Sequence, residues 1–286
     1  MSTTGRIHIG AYRLVRQIRS GQSCQVWLAI NTLNERVALK VLKDEFRKNR
    51  EETSQLRHEY TVGHDLEHPN VIRVIEFSVA DRIPFLALEY CGAQNIKQVI
   101  QDGLDLFAPR VPETVRQCAQ GLAYLNNQGW LHRDVKPDNF MIDEGNTKLI
   151  DFSLAVKAKK GLSRLLGGRS KVQGTRSYMS PEQIRGEVLD VRSDVYSFGC
   201  TLFEMLTGRP PFTAESADEL LIKHLKAAVP SLLVTANNIT EEFADLVARC
   251  LAKNVQERPE SLDDFLIEFD HMKVFMKPPV PLGNDG

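Results

Sequence analysis

The sequence predicts an α+β fold with two lobes, a small β-rich N-terminal lobe with one main helix and a larger, mainly helical C-terminal lobe. Three observations predict it. The first ninety residues contain short runs of branched and aromatic residues, and after Tyr90 the apolar spacing becomes that of helices. The length of 286 residues is enough for two lobes with substantial cores.

Five segments of the first ninety residues are predicted to be strands, because each is short and β-branched or aromatic and is bounded by turn-like residues. They are YRLVRQI (12–18), QVWLAI (25–30), RVALKVL (36–42), VIRVIEFSV (71–79) and PFLALEY (84–90). A charged segment from about Lys43 to Leu66 interrupts them, and its length suits a helix.

The second part of the chain has the apolar stripes of helices. Helices are predicted from Pro112 to Leu125, from about Ser193 to Leu206, from Thr240 to Ala252 and from Ser261 onward. Thr240 is expected to be an N-cap, and Ser261 has capping-box spacing with Asp264. We therefore expect an N-terminal extension (1–10), one domain (11–272, with lobes 11–90 and 91–272) and a Pro/Gly-rich flexible tail (273–286).

Composition excludes several classes of protein. The formal net charge of −1 gives no reason to expect nucleic acid or a membrane surface as a partner. No apolar run approaches the roughly 20 residues that span a bilayer, and the first residues do not look like a signal peptide. The odd number of scattered cysteines favours free thiols in a reducing, cytoplasmic location over disulfides or a zinc site. They are Cys24, Cys91, Cys118, Cys200 and Cys250.

The segment LHRDVKPDNFMI (131–142) holds the first candidate site. Asp134 is followed by an amine at Lys136 and an amide at Asn139. A carboxylate beside a lysine can orient a hydroxyl, accept its proton and neutralise a transferring phosphoryl group. Taken alone, the segment also fits a solvated charged turn.

Two further segments carry groups of the same chemistry. Asp151 ends an apolar strand in KLIDFSLA, and with the amide of Asn139 it supplies the oxygen ligands that Mg²⁺ prefers. A lone aspartate there is also a common turn residue or helix cap. Lys40 lies inside a strand, where it either extends to solvent or contacts a phosphate, and Glu59, nineteen residues later, is a candidate partner.

These segments occur in the order and spacing of the protein-kinase motifs. From about Tyr12 to Phe269 the chain resembles a eukaryotic-type serine/threonine protein kinase, most like the bacterial branch. The matching motifs are VALK, HPN, ALEY, HRDVKPDN, DFS, GTRSYMSPEQ, DVRSDVYSFGCTLFEMLTGRPPF and RCLAKNVQERP. The resemblance implies the bilobal protein-kinase fold, with an ATP cleft between the lobes.

The resemblance also implies roles for individual residues. Asp134 would be the catalytic base, and Lys136 the cation beside the γ-phosphate. Lys40, held by Glu59, would contact the α- and β-phosphates, and Thr175 would bridge Asp134 and Lys136. Mg²⁺, with Mn²⁺ as an alternative, would be held by Asn139 and Asp151. The implied ATP-binding residues are Ile18, Gly21, Val26, Ala38, Lys40, Leu88 (gatekeeper), Glu89, Cys91, Asn95, Asn139, Met141 and Asp151. Asp194 would anchor the catalytic loop, and Arg258 would pair with Glu182.

The activation segment is basic. Between Phe152 and Pro181 it has no acidic residue and seven basic ones. These are Lys157, Lys159, Lys160, Arg164, Arg169, Lys171 and Arg176. Such a run is often only a solvated loop. The alternative is a segment that becomes ordered when Ser163 or Ser170 is phosphorylated and pairs with Arg133 and the loop's own cations.

Three departures from the family pattern lie on one side of the predicted cleft. The glycine-rich loop keeps only Gly21, with Arg19 and Cys24 in the outer glycine positions, and Ser153 replaces the glycine after Asp151 and Phe152. Gly63 stands where the family has a large apolar residue, so we expect a lost packing contact and a weakly docked helix. Cys24 and Cys91 would flank the nucleotide, most simply as inert packing thiols.

The sequence thus predicts an ATP-dependent kinase that phosphorylates serine or threonine of protein substrates, itself included, with low basal activity and regulation through the activation segment. No oligomeric state is predicted. A pseudokinase-like nucleotide-binding scaffold is the alternative. The missing glycines favour it, and the presence of every charged residue that phosphoryl transfer requires argues against it. A small-molecule kinase of related fold is disfavoured by Lys136 and by GTRSYMSPEQ.

Overall fold

The computed structural model describes residues 7–92, 94–143, 145–158 and 173–279. The chain divides into two units. The N-terminal unit comprises Met1–Gly92 with Asp151–Ser153, and the C-terminal unit comprises Ala93–Ile150 with Leu154–Gly286. The division at Gly92 is two residues beyond the boundary expected at residue 90, and the return of 151–153 to the N-terminal unit was not expected. The ATP cleft stays a prediction.

The N-terminal unit is built on an antiparallel sheet. Its strands are β1 (His8–Ile9), β2 (Tyr12–Ser20), β3 (Cys24–Ile30), β4 (Arg36–Leu42), β5 (Val74–Ala80) and β6 (Ile83–Glu89), in the order β1-β2-β3-β4-β6-β5. The five predicted strands are confirmed, except that VIRVIEFSV becomes extended only at Val74.

The one main helix of this unit, α1, spans Arg50–Gly63 and is shorter than the predicted 43–66. The difference has a local cause. The side chain of Asn49 accepts hydrogen bonds from the backbone N–H groups of Glu51 and Glu52, which caps the helix there, and Asp44–Phe46 form a separate 3₁₀ turn.

Strand β4 shows how the core positions the site. Val37, Leu39 and Val41 are buried in one hydrophobic cluster with residues of β1, β2, β3 and β6. Because side chains alternate across a strand, Ala38 and Lys40 point to the other face of the sheet. The core alternation therefore fixes the direction of Lys40.

The C-terminal unit is mainly helical. Its helices are α2 (Ile96–Asp102), α3 (Leu104–Phe107), α4 (Val111–Asn127), α5 (Pro181–Arg185), α6 (Val191–Thr207), α7 (Ala217–Lys226), α8 (Leu232–Thr235), α9 (Glu241–Cys250) and α10 (Leu262–Phe269). Its strands are β7 (Gln94–Asn95), β8 (Trp130–Leu131), β9 (Phe140–Asp143), β10 (Asn146–Leu149) and β11 (Val156–Lys157). They form two small sheets, β10-β9-β7 and β11-β8. The predicted α4, α6, α9 and α10 are confirmed to within two residues at the ends that were predicted.

Helix α6 is the centre of this unit, because every residue from Ser193 to Met205 is buried. A helix that is buried on all sides has neighbours on all sides. Gly199 allows a close approach of α9, since a Cβ at this position would lie 2.8 Å from the Cβ of Cys250. The buried polar side chains of α6 therefore face other elements of the unit instead of water.

Two helix caps expected from the sequence are confirmed. Thr240 accepts from the backbone N–H of Phe243, and Ser261 accepts from that of Asp264. The Ser261 hydroxyl also donates to the Asp264 carboxylate, so the reciprocal bond of a full capping box is replaced by a side-chain pair.

The end of the described chain pairs with the segment before α9. Backbone bonds join Thr240 to Val274 and Met276 to Asn238, and the Asn238 side chain bonds both backbone groups of Lys277. Val274 is buried. Residues 273–277 are thus held by the C-terminal unit, which differs from the flexible tail expected from residue 273. Proline content did not reveal this backbone pairing.

All five cysteines are free thiols, as the sequence predicted, and Cys118, Cys200 and Cys250 are buried. Over the described ranges, no helix combines the length and the apolar character that crossing a membrane requires.

Candidate active site

An ion-pair cluster lies in the N-terminal unit. Lys40 Nζ is 2.7 Å from Glu59 Oε2 and 3.4 Å from Asp151 Oδ1. Glu59 is on α1 and only 1% exposed. The pairing of Lys40 with Glu59 that the resemblance implied is present, and it joins the sheet to the helix.

Burial and charge compete at this cluster. Burial alone would lower the pKa of Lys40, but the carboxylates of Asp151 and Glu59 outweigh it and raise that pKa above its ordinary value. Burial raises the pKa of Glu59 to about 7, with Lys40 acting in the opposite direction. Lys40 therefore stays a cation at neutral pH.

Asp151 is held in a strained backbone conformation. Its φ of 66° lies in the left-handed region, which side chains rarely adopt, and such strain often accompanies a functional site. The backbone N–H of Ser153 donates to Asp151 Oδ1 over 3.3 Å. Ser153 itself is not among the positive-φ residues, so replacing the family's glycine causes no left-handed strain in this state.

The packing contact expected to be missing at Gly63 is present, and the weak docking of the helix stays a prediction. Phe152 is fully buried and Val74 is 3% exposed. A Cβ at Gly63 would lie 2.4 Å from Val74 Cγ2 and 3.0 Å from Phe152 Cδ2. These two side chains fill the space that a larger residue would occupy, so the helix backbone itself forms the packing surface.

Predicted adenine-contacting residues share one face of the sheet. Val26 is the register partner of Lys40, and Ala38 that of Leu88. Directly opposed residues of antiparallel strands lie on the same face. Val26, Ala38 and Leu88 are thus on the face of Lys40. Glu89 ends β6, and Cys91 is two residues beyond it.

The glycine-rich loop is a tight turn of three residues between β2 and β3. The N–H of Gly21 donates to the carbonyl of Cys24 over 2.8 Å. Arg19 and Cys24 lie within the strands, not in the turn, and Ile18 lies at a β-bulge. Their side chains are therefore accommodated by ordinary extended backbone.

A cavity of about 210 Å³ lies beneath this turn. It is lined by Gly21, Cys24, Lys40, Glu59 and Asp151, among others. Burial raises the pKa of the Cys24 thiol, so it is protonated at neutral pH and fits an inert packing role.

A second cluster, in the C-terminal unit, surrounds Asp134. Its Oδ1 accepts from the Thr175 N–H at 2.8 Å and from the Thr175 hydroxyl at 2.9 Å. Its Oδ2 accepts from Lys136 Nζ at 2.6 Å and from Asn139 Nδ2 at 3.3 Å. Lys136 also donates to Thr175 Oγ1 at 2.6 Å. The predicted bridge from Thr175 to Asp134 and Lys136 is confirmed.

The backbone of the loop that carries Asp134 is anchored by a buried carboxylate. The fully buried carboxylate of Asp194, on α6, accepts from the backbone N–H groups of His132 and Arg133 at 2.8 and 2.9 Å. This confirms the predicted anchor. Arg133 has a φ of 67°, and the anchoring bonds hold this strained turn immediately before Asp134.

Glu182 and Arg258 form the predicted buried pair. The two guanidinium nitrogens of Arg258 donate to the two carboxylate oxygens of Glu182 at 2.8 and 3.0 Å. The neighbouring Gln183 donates to the carbonyl of Arg133 at 2.9 Å. Helix α5 is thereby joined to the catalytic loop, a link that the sequence did not reveal.

The remaining nucleotide-binding candidates lie in the C-terminal unit. Asn95 and Met141 are register partners on β7 and β9. The Asn95 side chain accepts from the N–H of Gln98 as the N-cap of α2, so this predicted nucleotide-binding residue also holds a helix end.

The donor set fits a hard cation. Asn139 is 3% exposed, and its amide nitrogen donates to the backbone carbonyl of Asp134 at 2.8 Å, which leaves its side-chain oxygen as a ligand atom. Asp151, the other predicted Mg²⁺ ligand, belongs to the N-terminal unit. Their joint role stays a prediction.

Residues 159–172 of the activation segment lie outside the described residues. These include Ser163, Ser170 and the basic residues from Lys159 to Lys171. Of the seven basic residues only Lys157 and Arg176 are described, and both are exposed. Phosphorylation of the segment stays a prediction.

One buried network was missed by the sequence analysis. Glu204 of α6 is fully buried, and its carboxylate accepts from Lys97 of α2 and from the Tyr178 hydroxyl, the latter at 2.5 Å. Burial and Glu204 raise the pKa of Tyr178, so the phenol keeps its proton. The sequence did offer a signal for this network, because Glu204 lies among apolar residues in the segment FEMLTG of a predicted helix.

The chain is similar to known protein kinases. Residues 12–266 match the family described as protein kinase domain. The chain is 31% identical over 257 residues to serine/threonine-protein kinase PrkC of Bacillus subtilis, covering 89% of this chain and 39% of that protein. It is 33% identical over 254 residues to serine/threonine-protein kinase PknB of Mycolicibacterium smegmatis, covering 86% and 40%. The chain thus spans about two fifths of the length of these relatives.

Proposed function

Because the chain belongs to the protein kinase domain family, among the bacterial serine/threonine kinases, we propose that it transfers the γ-phosphoryl group of ATP to serine or threonine hydroxyls of proteins. The cofactors we propose are ATP with Mg²⁺ or Mn²⁺. The reaction class comes from the family, and the proposed roles of individual residues come from their contacts in this chain.

The observation that carries the proposal is the hydrogen-bond set of Asp134. Its carboxylate is held on both oxygens, by Thr175 on one and by Lys136 on the other. A carboxylate so held can accept the proton of a substrate hydroxyl at a fixed place, while the adjacent ammonium offsets the charge of the transferring group.

Residues of the N-terminal unit complete the proposed reaction. Lys40 is kept in place by Glu59 and would bind the phosphates as a cation. Bound Mg²⁺ would neutralise phosphate charge, and Asn139 and Asp151 would hold it through oxygen atoms. Phosphoryl transfer is mainly positioning and electrostatic stabilisation, and each of these residues serves one of the two.

We also propose that basal activity is low and rises when the activation segment is phosphorylated. Because side chains pack against Gly63, that position no longer supports low activity. The remaining support is that the glycine-rich loop keeps only one of the family's glycines and that the activation segment is positively charged. Ser163 and Ser170 are the proposed autophosphorylation sites. A cytoplasmic location is part of the same proposal.

The decisive experiment is phosphoryl transfer from radiolabelled Mg-ATP to a generic basic protein. Wild type is compared with Asp134→Asn, expected to lose activity by about 10²–10⁴-fold, the range for a lost acid–base group, and with Lys40→Met, expected to lose about 10²–10³-fold, the range for a lost electrostatic contact. Mass spectrometry of the incubated wild type reports the modified positions. Phosphate found only outside 152–181 contradicts regulation through the activation segment.

The alternative of a nucleotide-binding scaffold predicts a different result. All three proteins then fail to transfer phosphate, while wild type still binds ATP. Full-rate transfer by unphosphorylated wild type from the first turnover contradicts low basal activity and leaves the kinase assignment standing.

A further inference from the structure

A buried polar chain lies under the segment that carries Thr175. Its members are Lys253, three residues beyond the end of α9, Tyr196 on α6 and His224 on α7. Lys253 Nζ donates to the Tyr196 hydroxyl at 3.3 Å, and that hydroxyl is 2.9 Å from His224 Nδ1. Tyr196 and His224 are both fully buried. None of the three belongs to the two clusters described above.

The donors and acceptors of this chain have one consistent direction. An ammonium can only donate, so the Tyr196 oxygen accepts from Lys253 and its proton points to the histidine. His224 Nδ1 is then the acceptor, and the single ring proton is on Nε2. Burial raises the pKa of Tyr196 well above its ordinary value and lowers that of His224 to about 4, so the phenol stays protonated and the imidazole neutral.

The Nε2 proton points into the protein without a hydrogen bond of normal geometry. This atom is buried, and no acceptor among the described residues lies within ordinary hydrogen-bond limits. The Ser177 backbone is the group that acts on the ring as a hydrogen-bond partner, and it raises the pKa of His224 in that way. A buried donor left without an acceptor is unfavourable, so a small movement of that backbone toward the ring would be stabilised.

Ser177 belongs to the 3₁₀ turn Arg176–Tyr178, whose N-cap is Thr175. The N–H of Tyr178 donates to the carbonyl of Thr175, and the carbonyl of Tyr178 accepts from the Ser197 hydroxyl. The backbone facing His224 is therefore only two positions along the chain from the threonine that bonds Asp134 and Lys136.

The ring of His224 has a fixed place. It packs edge-on against Phe212 with the ring centroids 5.0 Å apart, and it lies 5.9 Å from the Tyr196 ring. Lys253 Nζ lies 4.1 Å from the Phe212 centroid, which holds the amine over an aromatic face. With both neighbours packed, the ring cannot turn to exchange its two nitrogens without breaking the Tyr196 bond.

We propose that His224 is a positioning residue for phosphoryl transfer, which presents its Nε2 proton to the Ser177 backbone and so keeps Thr175 on Asp134 and Lys136 when a protein substrate lies on this segment. The inference rests on the proposed kinase function. It assigns to Lys253 and Tyr196 the task of selecting the tautomer.

Steady-state kinetics of wild type, His224→Phe and His224→Gln test this. Phenylalanine keeps the ring volume but removes the donor, whereas the glutamine amide can place a donor near Nε2. We expect kcat for a protein substrate to fall about tenfold in His224→Phe, equivalent to about 1.4 kcal/mol, with KM for ATP within about twofold of wild type. His224→Gln should recover most of the rate. The exposed His271, changed to Phe, is the matched control and should be silent.

The outcomes separate the two hypotheses. If wild type transfers phosphate but the Phe and Gln variants are equally affected, or if both KM values change with kcat, the positioning role is refuted. If wild type transfers none, the kinase proposal fails and this inference fails with it. Should His224→Phe not fold, ¹⁵N NMR of wild-type histidines still decides. A proton on Nε2 of His224 supports the hydrogen-bond direction from Lys253 through Tyr196 to His224, and a proton on Nδ1 overturns it.

Discussion

The close packing around Gly63 predicts that even alanine is harmful there. The position lies at the end of α1, a helix in which alanine would ordinarily be the better residue. The added methyl group would lie 2.4 Å from Val74 Cγ2 and 3.0 Å from the Phe152 ring, both inside normal contact distance. Val74 and Phe152 are buried and have little room to move.

The magnitude follows from two opposing contributions. Alanine in place of glycine stabilises a helix by about 1 kcal/mol. Forcing an extra carbon into a packed core costs about 1–3 kcal/mol, and an overlap with a neighbouring methyl group favours the upper half of that range. We therefore expect Gly63→Ala to lower the free energy of unfolding by about 1 kcal/mol.

A double-mutant cycle with Val74→Ala isolates the contact. Val74→Ala alone should cost about 2 kcal/mol, since it removes two buried methyl groups and leaves a cavity. In the Gly63→Ala background it should cost at least about 1 kcal/mol less, because it removes the overlapping atom. Urea unfolding followed by circular dichroism measures all four proteins. Gly21→Ala is the matched control and should be neutral, as its Cβ would meet nothing closer than 3.4 Å.

One result would refute this reasoning. If Gly63→Ala raises the free energy of unfolding by about 1 kcal/mol, helix propensity alone governs the position. The methyl group would then fit, and the close approach of Val74 and Phe152 to α1 would not hold in solution.

Three further predictions concern buried charge and thiol chemistry. Glu182→Gln leaves the Arg258 guanidinium buried without its counter-ion, so the free energy of unfolding should fall by about 3 kcal/mol in urea titrations; a loss below 1 kcal/mol contradicts a fully desolvated pair. The pKa of His224 is lowered to about 4 in the folded state, by burial first and by Lys253 second, against about 6.5 when unfolded. Between pH 6.5 and 4 the unfolded chain therefore binds a proton that the folded chain does not, and the free energy of unfolding falls as pH drops through this range, by up to about 3 kcal/mol. His224→Gln should remove this part of the pH dependence of stability; an unchanged pH dependence contradicts the lowered pKa. Cys24, whose pKa is raised by burial, should react with iodoacetamide at pH 7.5 more slowly than free cysteine, as peptide mass spectrometry would show; faster alkylation contradicts the inert assignment.

The sequence was sufficient where a local pattern fixes direction. In β4 the alternation of Val37, Leu39 and Val41 leaves Lys40 on the opposite face, and the sequence itself shows this alternation, although it left open whether Lys40 extends to solvent or contacts a phosphate. The bridge of Thr175 to Asp134 and the anchoring by Asp194 were expected from the resemblance alone, because the family places these groups at matching motif positions. Composition by itself would have left Asp134 in a charged turn.

The sequence was insufficient where packing between segments distant in sequence determines which contacts form and which side chains are buried. A glycine in a helix predicts a missing contact, yet at Gly63 two side chains remote in sequence fill the space. His224 follows Lys223 in an ordinary amphipathic helix, and its burial depends on Tyr196 and Phe212. The pairing of 273–277 with 238–240 uses backbone groups of both segments together with the side chain of Asn238, and the hydrophobic pattern does not reveal it.

The crowded carboxylate of Asp134 has a consequence for how a substrate hydroxyl arrives. A carboxylate offers about four lone-pair positions, and here four donors already occupy them. The longest of the four bonds, 3.3 Å, comes from Asn139, whose amide has a second and shorter bond to the Asp134 carbonyl at 2.8 Å. If Asp134 is the proposed proton acceptor, an incoming substrate hydroxyl would replace the Asn139 amide while the other three donors stay in place. The carboxylate would then exchange one hydrogen-bond partner for another and would not pass through a state without a fourth donor.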